Sequence, residues 1–538
     1  MGSKSLRVGY ARQATSVVVA LSCLALSGYV VADKKQSADD APLTVPKAVC
    51  GPGDHPETAL QGQVPAALRA AGFKGFNCNL QLIGQSRGDG ANWQTTQFQN
   101  GKGASGVSNG KGSGNKDGPM CAYHGTAFTT AGRTHVGVPV VDISNTSNPT
   151  ATGYLTTTSM LDPWESLKVN ERRQLLAADN GHNGGGGPEI DIYDISQDCR
   201  FPQFISSVAV GKPDGSTGAP INVIGHEGSW APDGLTYYGG DIRQAQYYAV
   251  DTADPTAPKL ITAWKPNIAG ATVHGLSISD DGNRGYFVSL LGAGPVTPDK
   301  AANGLLIYDL SEIQSRKPNP QVNLVGKFLF NDGGGAQHTI PIKIKGKPYV
   351  VFVDETGPGG FGDVSRLQAS CDAGLPVFPM ARIIDISDET APKQVSRLML
   401  ETHDPANCSK VLPDLAGLAI FFYGSHYCSV DDKNQATTLA CGYFNSGIRV
   451  FDIRDPARPK EIAYYNPAGT TTPSPGSNHV TTGQWRAGGP DWCSAQVHLD
   501  AKSGTLWSTC QDNGLLTLKF TNGAWPFPQS KTPPGQQN

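Results

Sequence analysis

A short strand of alternating apolar and β-branched residues, ending in Asp-Ile-Ser or a close variant, recurs along the chain. Five clear copies occur at Val138–Ser144, Ile190–Ser196, Leu305–Ser311, Arg382–Ser387 and Ile448–Arg454, and two weaker ones at Tyr247–Thr252 and Leu515–Phe520. The period of two and the β-branched residues predict strands, and the Asp and Ser predict a turn closed by its own side chains. Recurrence of one motif predicts a repeat fold.

Each copy is followed by a proline-containing turn and another strand, and it is preceded by two more strands. Val273–Ser279 and Gly285–Ser289, separated by the turn Asp280–Asn283, show the preceding pair best. Four strands per repeat predict an all-β, seven-bladed β-propeller of four-stranded blades rather than a solenoid. The last copy ends after its third strand, and Asn79–Gly84 has the fourth-strand pattern. We therefore expect an N-terminal strand to close the ring and remove an exposed edge.

The two ends of the chain have a different composition. Basic residues precede an apolar run from Ser16 to Val31, and small residues follow up to Ala32. This order predicts a cleaved signal peptide at 1–32, and leaves lipid attachment at Cys23 as an alternative. We expect an N-terminal extension at 33–78, the propeller at 79–525 and a disordered C-terminal tail at 526–538. The mature protein would be exported to the periplasm or the cell surface, with no transmembrane span.

The cysteine count, the net charge and one glycine-rich stretch allow predictions about disulfides, partners and cofactors. Loss of Cys23 with the signal leaves ten of the eleven cysteines, an even number that predicts disulfides in an exported protein. Their connectivity stays open, with Cys428 and Cys441 the first pair to test because they fall on neighbouring strands. A net charge of -3 argues against a nucleic-acid partner. The glycine-rich stretch 184–187 lacks a phosphate-loop lysine, so no nucleotide cofactor is expected.

Histidine recurs at one repeat position in four consecutive blades. His226, His274, His338 and His426 each lie eight residues before the turn residue of their repeat, and Glu165 has the same offset one blade earlier. This position begins the first strand, which lines the central channel of a propeller, so symmetry directs these side chains toward one axis. Imidazoles with a carboxylate suit Fe(II), Cu or Zn. Glu227, Asp241 and Glu355 are candidates for orienting the imidazoles from outside the ligand set.

A structural role for these histidines is the alternative. Repeats copy residues by descent, and a histidine at this position can hydrogen-bond a neighbouring turn. His226 and His274 alternate in phase with packed residues of their strands, which fits that alternative. A structural histidine would also be expected in the other blades, so confinement to blades three to six favours metal binding.

The Asp-Ile-Ser strands with their Asn-Pro or Ala-Pro turns resemble the LVIVD-repeat family of exported bacterial and archaeal propellers. The resemblance extends over most of Leu80–Phe520 and implies a propeller outside the cytoplasm, but it does not imply an activity. Histidines from separate blades at one axis are also similar in plan to carotenoid-cleaving oxygenases, which hold iron with four histidines, and to the selenium-binding and methanethiol-oxidising propellers. The adjacency of the four blades differs from that plan.

Two functions are compatible with these patterns. The first is a metal-dependent oxidoreductase that acts on a small molecule at the axial site. The second is a non-enzymatic periplasmic or cell-surface propeller that binds a surface ligand through its long insertions at 290–304 and 355–379. A nucleophile elbow is absent from the sequence, so serine hydrolysis has no support.

Overall fold

A computed structural model describes residues 44–101, 118–125, 134–179, 189–210, 225–290, 303–472 and 488–527, without positions 243, 267, 331, 333, 356, 358–362 and 419. The predicted signal peptide, most of the predicted C-terminal tail and most of the insertion at 290–304 lie outside these residues.

The chain forms seven four-stranded antiparallel sheets arranged as the blades of a propeller, which confirms the predicted fold. Before the first blade come β1 (Phe76–Cys78) and β2 (Leu80–Ser86). Blade one comprises β3 (Asn92–Gln99), β4 (Met120–Gly125), β5 (Val138–Asp142) and β6 (Thr150–Leu155), and blade two comprises β7 (Lys168–Asn170), β8 (Leu175–Asp179), β9 (Glu189–Asp194) and β10 (Gln203–Ala209). Blade three comprises β11 (Glu227–Trp230), β12 (Thr236–Asp241), β13 (Gln246–Asp251) and β14 (Lys259–Trp264). Blade four comprises β15 (Leu276–Ile278), β16 (Arg284–Ser289), β17 (Asn303–Asp309) and β18 (Asn323–Phe330). Blade five comprises β19 (Gly335–Ile344), β20 (Lys347–Glu355), β21 (Ala381–Asp385) and β22 (Lys393–Leu398). Blade six comprises β23 (Cys428–Val430), β24 (Thr438–Gly442), β25 (Ile448–Asp452) and β26 (Lys460–Asn466). Blade seven comprises β27 (His498–Asp500), β28 (Thr505–Cys510) and β29 (Gly514–Phe520).

The repeat motif forms the third strand of each blade and the turn after it. In six blades the motif aspartate accepts a hydrogen bond from the backbone N–H two residues later, as Asp142 does from Ser144, at 2.7–3.0 Å. The side chain thus closes the turn, as its residue type predicts. The pairing register between the third and fourth strands then shifts in every blade, which is the mark of a β-bulge.

The N-terminal strand β2 closes the ring, as predicted. It pairs with β29 from Leu80 opposite Phe520 to Ser86 opposite Leu515, and it carries the same bulge as the other fourth strands, between Leu82 and Gly84. A Cβ atom at Gly84 would lie 2.2 Å from the carbonyl oxygen of Thr146 in the first blade. Glycine therefore permits the close approach of the closing strand to blade one.

Residues upstream of β2 pack against blade six. β1 adds a fifth strand beside β26, and the buried carboxylate of Glu57 pairs with the Arg449 guanidinium, which also binds Glu461 at 2.9 Å. Short helices occupy connections: α1 (Ala66–Ala71), α2 (Thr158–Leu161), α3 (Ser311–Gln314), α4 (Val364–Asp372) and α5 (Cys408–Val411).

Five disulfides join the ten cysteines that the sequence analysis assigned to the mature protein. The pairs are Cys50–Cys78, Cys121–Cys199, Cys371–Cys408, Cys428–Cys441 and Cys493–Cys510. The pair Cys428–Cys441, which the sequence made the first to test, is among them, and it links directly opposite residues of β23 and β24.

The apolar core lies between neighbouring blades. One cluster joins Ile190 and Ile192 of blade two to Tyr237 and Tyr248 of blade three, and another joins blade five to blade six. Each blade therefore depends on its neighbours for burial, and a closed ring leaves no blade with an uncovered face.

Substitution of Leu80 tests the contribution of ring closure to stability. Leu80 is fully buried in the core of blade seven, whereas Leu82 on the same strand is 37% exposed. We expect Leu80→Ala to lower the free energy of unfolding by about 2–5 kcal/mol. The matched Leu82→Ala control should change it by less than about 1 kcal/mol in the same denaturant titration. Equal effects would contradict a closing role for β2.

Candidate functional site

Three of the four predicted histidines and Glu165 meet at one end of the ring axis. Glu165, His226, His274 and His426 lie one to three residues before the first strands of blades two, three, four and six. They are at most 9% exposed. Ligand atoms of Glu165, His226 and His274 all lie within 4.8 Å of one another, so these three residues can hold a metal ion.

A second carboxylate, Glu355 at the end of β20, completes the group. We call Glu165, His226, His274, Glu355 and His426 the axial cluster. Glu165 lies 3.4 Å from His226 Nε2, 3.8 Å from His274 Nε2 and 3.0 Å from His426 Nε2. Glu355 lies 3.2 Å from His274 Nε2 and 3.4 Å from His426 Nε2. Ligand atoms bound to one metal ion at about 2.0–2.2 Å stand roughly 3.0–3.6 Å apart. Four of the five spacings fall in that range and fit a shared ion, and the spacing of 3.8 Å between His274 and Glu165 is slightly longer.

Backbone carbonyls orient two of the imidazoles. His274 Nδ1 lies 3.1 Å from the Gln337 carbonyl, and His426 Nδ1 lies 2.9 Å from the Ser494 carbonyl. An Nδ1–H that donates to a carbonyl leaves Nε2 facing the carboxylates, the arrangement that metal-bound histidines use. The Gln337 amide reaches the same centre, 3.2 Å from Glu165 Oε1 and 3.0 Å from His426 Nε2. The Trp164 indole donates to His226 Nε2 at 3.1 Å.

Charge within the axial cluster is strongly coupled. Burial opposes a charge on either imidazole, but the neighbouring glutamates outweigh it. They raise the pKa of His274 well above its usual value and that of His426 to about 9. Burial likewise opposes ionisation of Glu165 and Glu355, but the histidines hold both carboxyl pKa values below the usual range. Without a metal, two imidazolium ions thus balance two carboxylates at neutral pH.

The sequence predicts Glu227, Asp241 and Glu355 around the candidate ligands rather than among them. Glu227 has such a position, since its Oε2 lies 3.8 Å from His274 Nδ1. Asp241 accepts the backbone N–H of Gln244 at 3.1 Å. Glu355 instead contacts His274 and His426 directly. The second strands of blades two, three and five end at Asp179, Asp241 and Glu355. This recurrence of an acidic residue is the sequence signal that could have identified Glu355 as a member of the site.

A buried ion pair holds the backbone next to Glu355. The fully buried Arg382 contacts Asp354 at 2.6 Å and Asp332 at 2.7 Å, and its guanidinium stacks 3.8 Å from the centre of the Phe330 ring. The adjacent acids therefore have different partners, since Asp354 contacts an arginine and Glu355 contacts histidines.

His338 lies apart from the axial cluster. Its Nε2 accepts the backbone N–H of Cys428 at 3.5 Å, and its ring packs 4.5 Å from that of Tyr427. Burial together with positive charge at Lys168 and His426 lowers its pKa well below the usual value. In the described part of the chain, none of the short contacts to Glu165 or Glu355 involves His338.

Aromatic side chains cover the axial cluster at the loop end of the ring. This aromatic cap comprises Trp93, Trp164, Phe421, Phe444 and Trp492. The rings of Trp93 and Phe444 lie 5.0 and 5.1 Å from the His426 ring, and that of Trp164 lies 5.6 Å from the His226 ring. Four of the five cap residues have a left-handed backbone, with φ between 32° and 66°. Such strain in bulky residues is typical of functional sites.

On the opposite side, the first strands enclose a central cavity of about 930 Å³. Its mouth lies at the turns between first and second strands, beside Arg172, Asp280 and Lys433, and its inner end reaches Glu227 and His338. The axial cluster therefore lies between an apolar cap and a polar channel.

A family model for the LVIVD repeat matches residues 136–157, which contain β5 and β6 of blade one. The match covers one of the seven copies of the motif, and the seven copies lie in the seven blades of the ring. The chain is a seven-bladed β-propeller with an LVIVD repeat. No curated protein matches it at a significant level.

Solved structures similar to this LVIVD-repeat propeller share little sequence with it. A periplasmic gluconolactonase of Pseudomonas aeruginosa is 13% identical, with a TM-score of 0.44 over 74% of this chain and 99% of its own. Hydrazine synthase of Kuenenia stuttgartiensis is 12% identical, with a TM-score of 0.44 over 82% and 97%. A protein from Lactobacillus plantarum is 11% identical, with a TM-score of 0.44 over 73% and 97%.

The disulfides of the LVIVD-repeat propeller bear on where it folds. The presence of five disulfides is typical of a protein exported from the cytoplasm. Among the described residues, no helix has the length and hydropathy that a membrane span requires.

Asp179 offers a test of electrostatics beside the site. It is fully buried, it accepts a hydrogen bond from the Tyr248 hydroxyl, and it packs against Gly225, which precedes His226. Burial raises the Asp179 pKa to about 7. A raised carboxyl pKa stabilises the fold below the unfolded pKa near 4, and this stabilisation is lost as the pH rises toward 7.

We expect the wild type to lose stability between pH 4 and 7 relative to Asp179→Asn, by about 1.4 kcal/mol for each unit of pKa shift. Urea titrations across this pH range measure the difference. Above pH 8 the difference in the free energy of unfolding between the two proteins should no longer change with pH. A difference independent of pH would contradict the raised pKa.

Proposed function

We propose that this LVIVD-repeat propeller binds one divalent transition-metal ion in the axial cluster and uses it as an oxidoreductase on a small molecule. The observation that supports the proposal most is the convergence of three imidazoles and two carboxylates, from five successive blades, within 3.0–3.8 Å. The common descent of the repeats is enough to explain why a histidine recurs at one repeat position. It does not explain why Glu165 and Glu355, from different repeat positions, face the same rings.

Poorly oriented contacts of two buried atoms support the same proposal. Glu165 Oε2 lies 3.4 Å from His226 Nε2, and His274 Nε2 lies 3.2 Å from Glu355 Oε1, but among the described residues neither atom makes a well-oriented hydrogen bond. Weak hydrogen bonding of buried polar atoms is costly. The two atoms lie 3.8 Å apart, so a cation between them would bind both at once.

Charge balance also fits a divalent ion. Metal binding requires neutral imidazoles, so an entering ion displaces the protons of His274 and His426. The two positive charges of the ion then replace the positive charges of the two protons, so the two carboxylates remain neutralised. The donor set of imidazoles and carboxylates suits Fe(II), and imidazoles also suit Cu and Zn. The bound ion would supply redox chemistry, while the carbonyls of Gln337 and Ser494 hold two of the ligand rings in place.

Metal content tests the proposal directly. We expect the purified mature protein to hold about one equivalent of Fe or Cu by elemental analysis, and His274→Ala and Glu165→Gln to hold less than a tenth of that. His403→Ala is the matched control, because His403 is also fully buried but bonds the Tyr423 carbonyl at 3.1 Å, away from the axial cluster. The His338→Ala variant should retain its metal, because His338 contacts neither glutamate.

The outcomes separate the alternatives. Zinc alone would contradict the redox part of the proposal. A wild type that holds no metal, even after incubation with Fe(II), Cu(II) and Zn(II), would overturn the metal site and favour a binding propeller with structural histidines. Loss of metal in His338→Ala with an intact fold would restore His338 to the ligand set.

Proton release gives a second measurement. At pH 7 both His274 and His426 carry an extra proton in the metal-free protein, since the pKa of His274 is raised well above its usual value and that of His426 to about 9. We expect about two protons to leave for each metal ion bound. Calorimetric titrations in two buffers of different ionisation enthalpy measure this number. A value near zero would mean that the ion binds elsewhere.

We also propose that the protein resides in the periplasm or on the cell surface. The predicted signal peptide and the five disulfides support this location. We expect N-terminal sequencing of the mature protein to begin at Asp33. A mature protein that retains Met1 would contradict export by cleavage.

A further inference from the structure

The inner end of the central cavity is lined by buried polar groups that the axial cluster does not use. Glu227, His338 and Tyr427 are at most 4% exposed, and all three line the cavity. Within the described residues, Glu227 Oε2, His338 Nδ1 and the Tyr427 hydroxyl have no hydrogen-bond partner of regular geometry. Three unsatisfied polar atoms at the closed end of one cavity are a costly arrangement unless a ligand satisfies them.

The hydrogen-bonding sense of His338 follows from its other nitrogen. Nε2 accepts the Cys428 backbone N–H, so the neutral ring must carry its proton on Nδ1. His338 is therefore a donor at the inner end of the cavity. Its ring packs 4.5 Å from that of Tyr427, whose hydroxyl is a second donor.

A positive charge lies beside these donors. Lys168 Nζ is 5.9 Å from the centre of the Tyr427 ring, and Lys168 lines the same cavity. An ammonium group and two neutral donors match the two oxygens of a carboxylate. Glu227 is an acceptor beside the Tyr427 hydroxyl, and it is suited to a hydroxyl of the same ligand. Farther out, Ser229 adds a hydroxyl to the lining, whereas the Ser277 and Thr339 hydroxyls already donate to backbone carbonyls.

We propose that the inner end of the cavity is a binding site for a small hydroxylated carboxylic acid. The carboxylate accepts from Lys168, His338 and Tyr427, and a neighbouring hydroxyl donates to Glu227. This site does not require a metal ion. Glu227 lies 3.8 Å from His274 Nδ1, so a bound acid lies next to the axial cluster. An acid held there is in a position to serve as the small-molecule substrate.

Binding of glycerate to the metal-free protein tests this site. Calorimetry on protein treated with a chelator should detect glycerate with a Kd of about 1 mM or lower. Glycerol, which has a CH2OH group in place of the carboxylate, should bind at least tenfold more weakly. Removal of bound metal beforehand separates this site from coordination to the axial cluster, so either proposal can fail alone.

Three variants locate the ligand. Lys168→Met and Tyr427→Phe should each weaken glycerate binding about tenfold or more, and Tyr427→Phe removes only the hydroxyl from the buried ring. Arg172→Met is the matched control, because Arg172 is exposed at the cavity mouth, and it should change the Kd less than threefold. Thermal unfolding checks that each variant is folded.

Equal binding of glycerate and glycerol would overturn the proposal. So would an effect of Arg172→Met as large as that of Lys168→Met, since attraction at the mouth would then explain the affinity. Lack of binding by both glycerate and gluconate, a longer acid of the same class, would also overturn it.

Discussion

Pairing of β2 with β29 is the constraint on which the rest of the structure depends. It joins the two ends of the chain in one blade, so every blade gains a neighbour on both sides and buries its apolar faces. It also holds the first strands at fixed positions around one axis. The axial cluster draws residues from blades two to six, and the Ser494 carbonyl that orients His426 lies just before blade seven. Opening of the ring would therefore move the residues of the axial cluster relative to one another.

The axial cluster is stable in the fold because its charges compensate. Two glutamates are buried with imidazoles that the same glutamates hold protonated. Removal of one partner from such a buried group leaves an uncompensated charge, which typically costs about 3–5 kcal/mol. The proposed exchange of protons for a divalent ion would keep this balance. Arg382 performs a related task beside Glu355 by neutralising Asp354.

Two contrasting surroundings flank the cluster. The aromatic cap excludes water on one side and keeps left-handed backbone at Trp93, Trp164, Phe421 and Phe444, a strain that tight packing sustains. The channel on the other side carries unsatisfied donors and a lysine. A cluster of polar groups between an apolar cover and a polar channel is a common arrangement for small-molecule sites.

The sequence by itself determined the repeat, the blade number, the closing strand, the use of disulfides and the placement of Glu165, His226, His274 and His426 near one axis. These features follow from local patterns, since strand alternation, turn residues and repeat register act over short stretches of chain. Only the tertiary structure decided that Glu355 belongs to the group, that His338 turns toward Cys428 and Tyr427, and that five aromatic residues cover the site. Those contacts join residues from different blades, and side-chain direction at an axis depends on the rotation of each blade and on the surrounding charges, which repeat register does not encode.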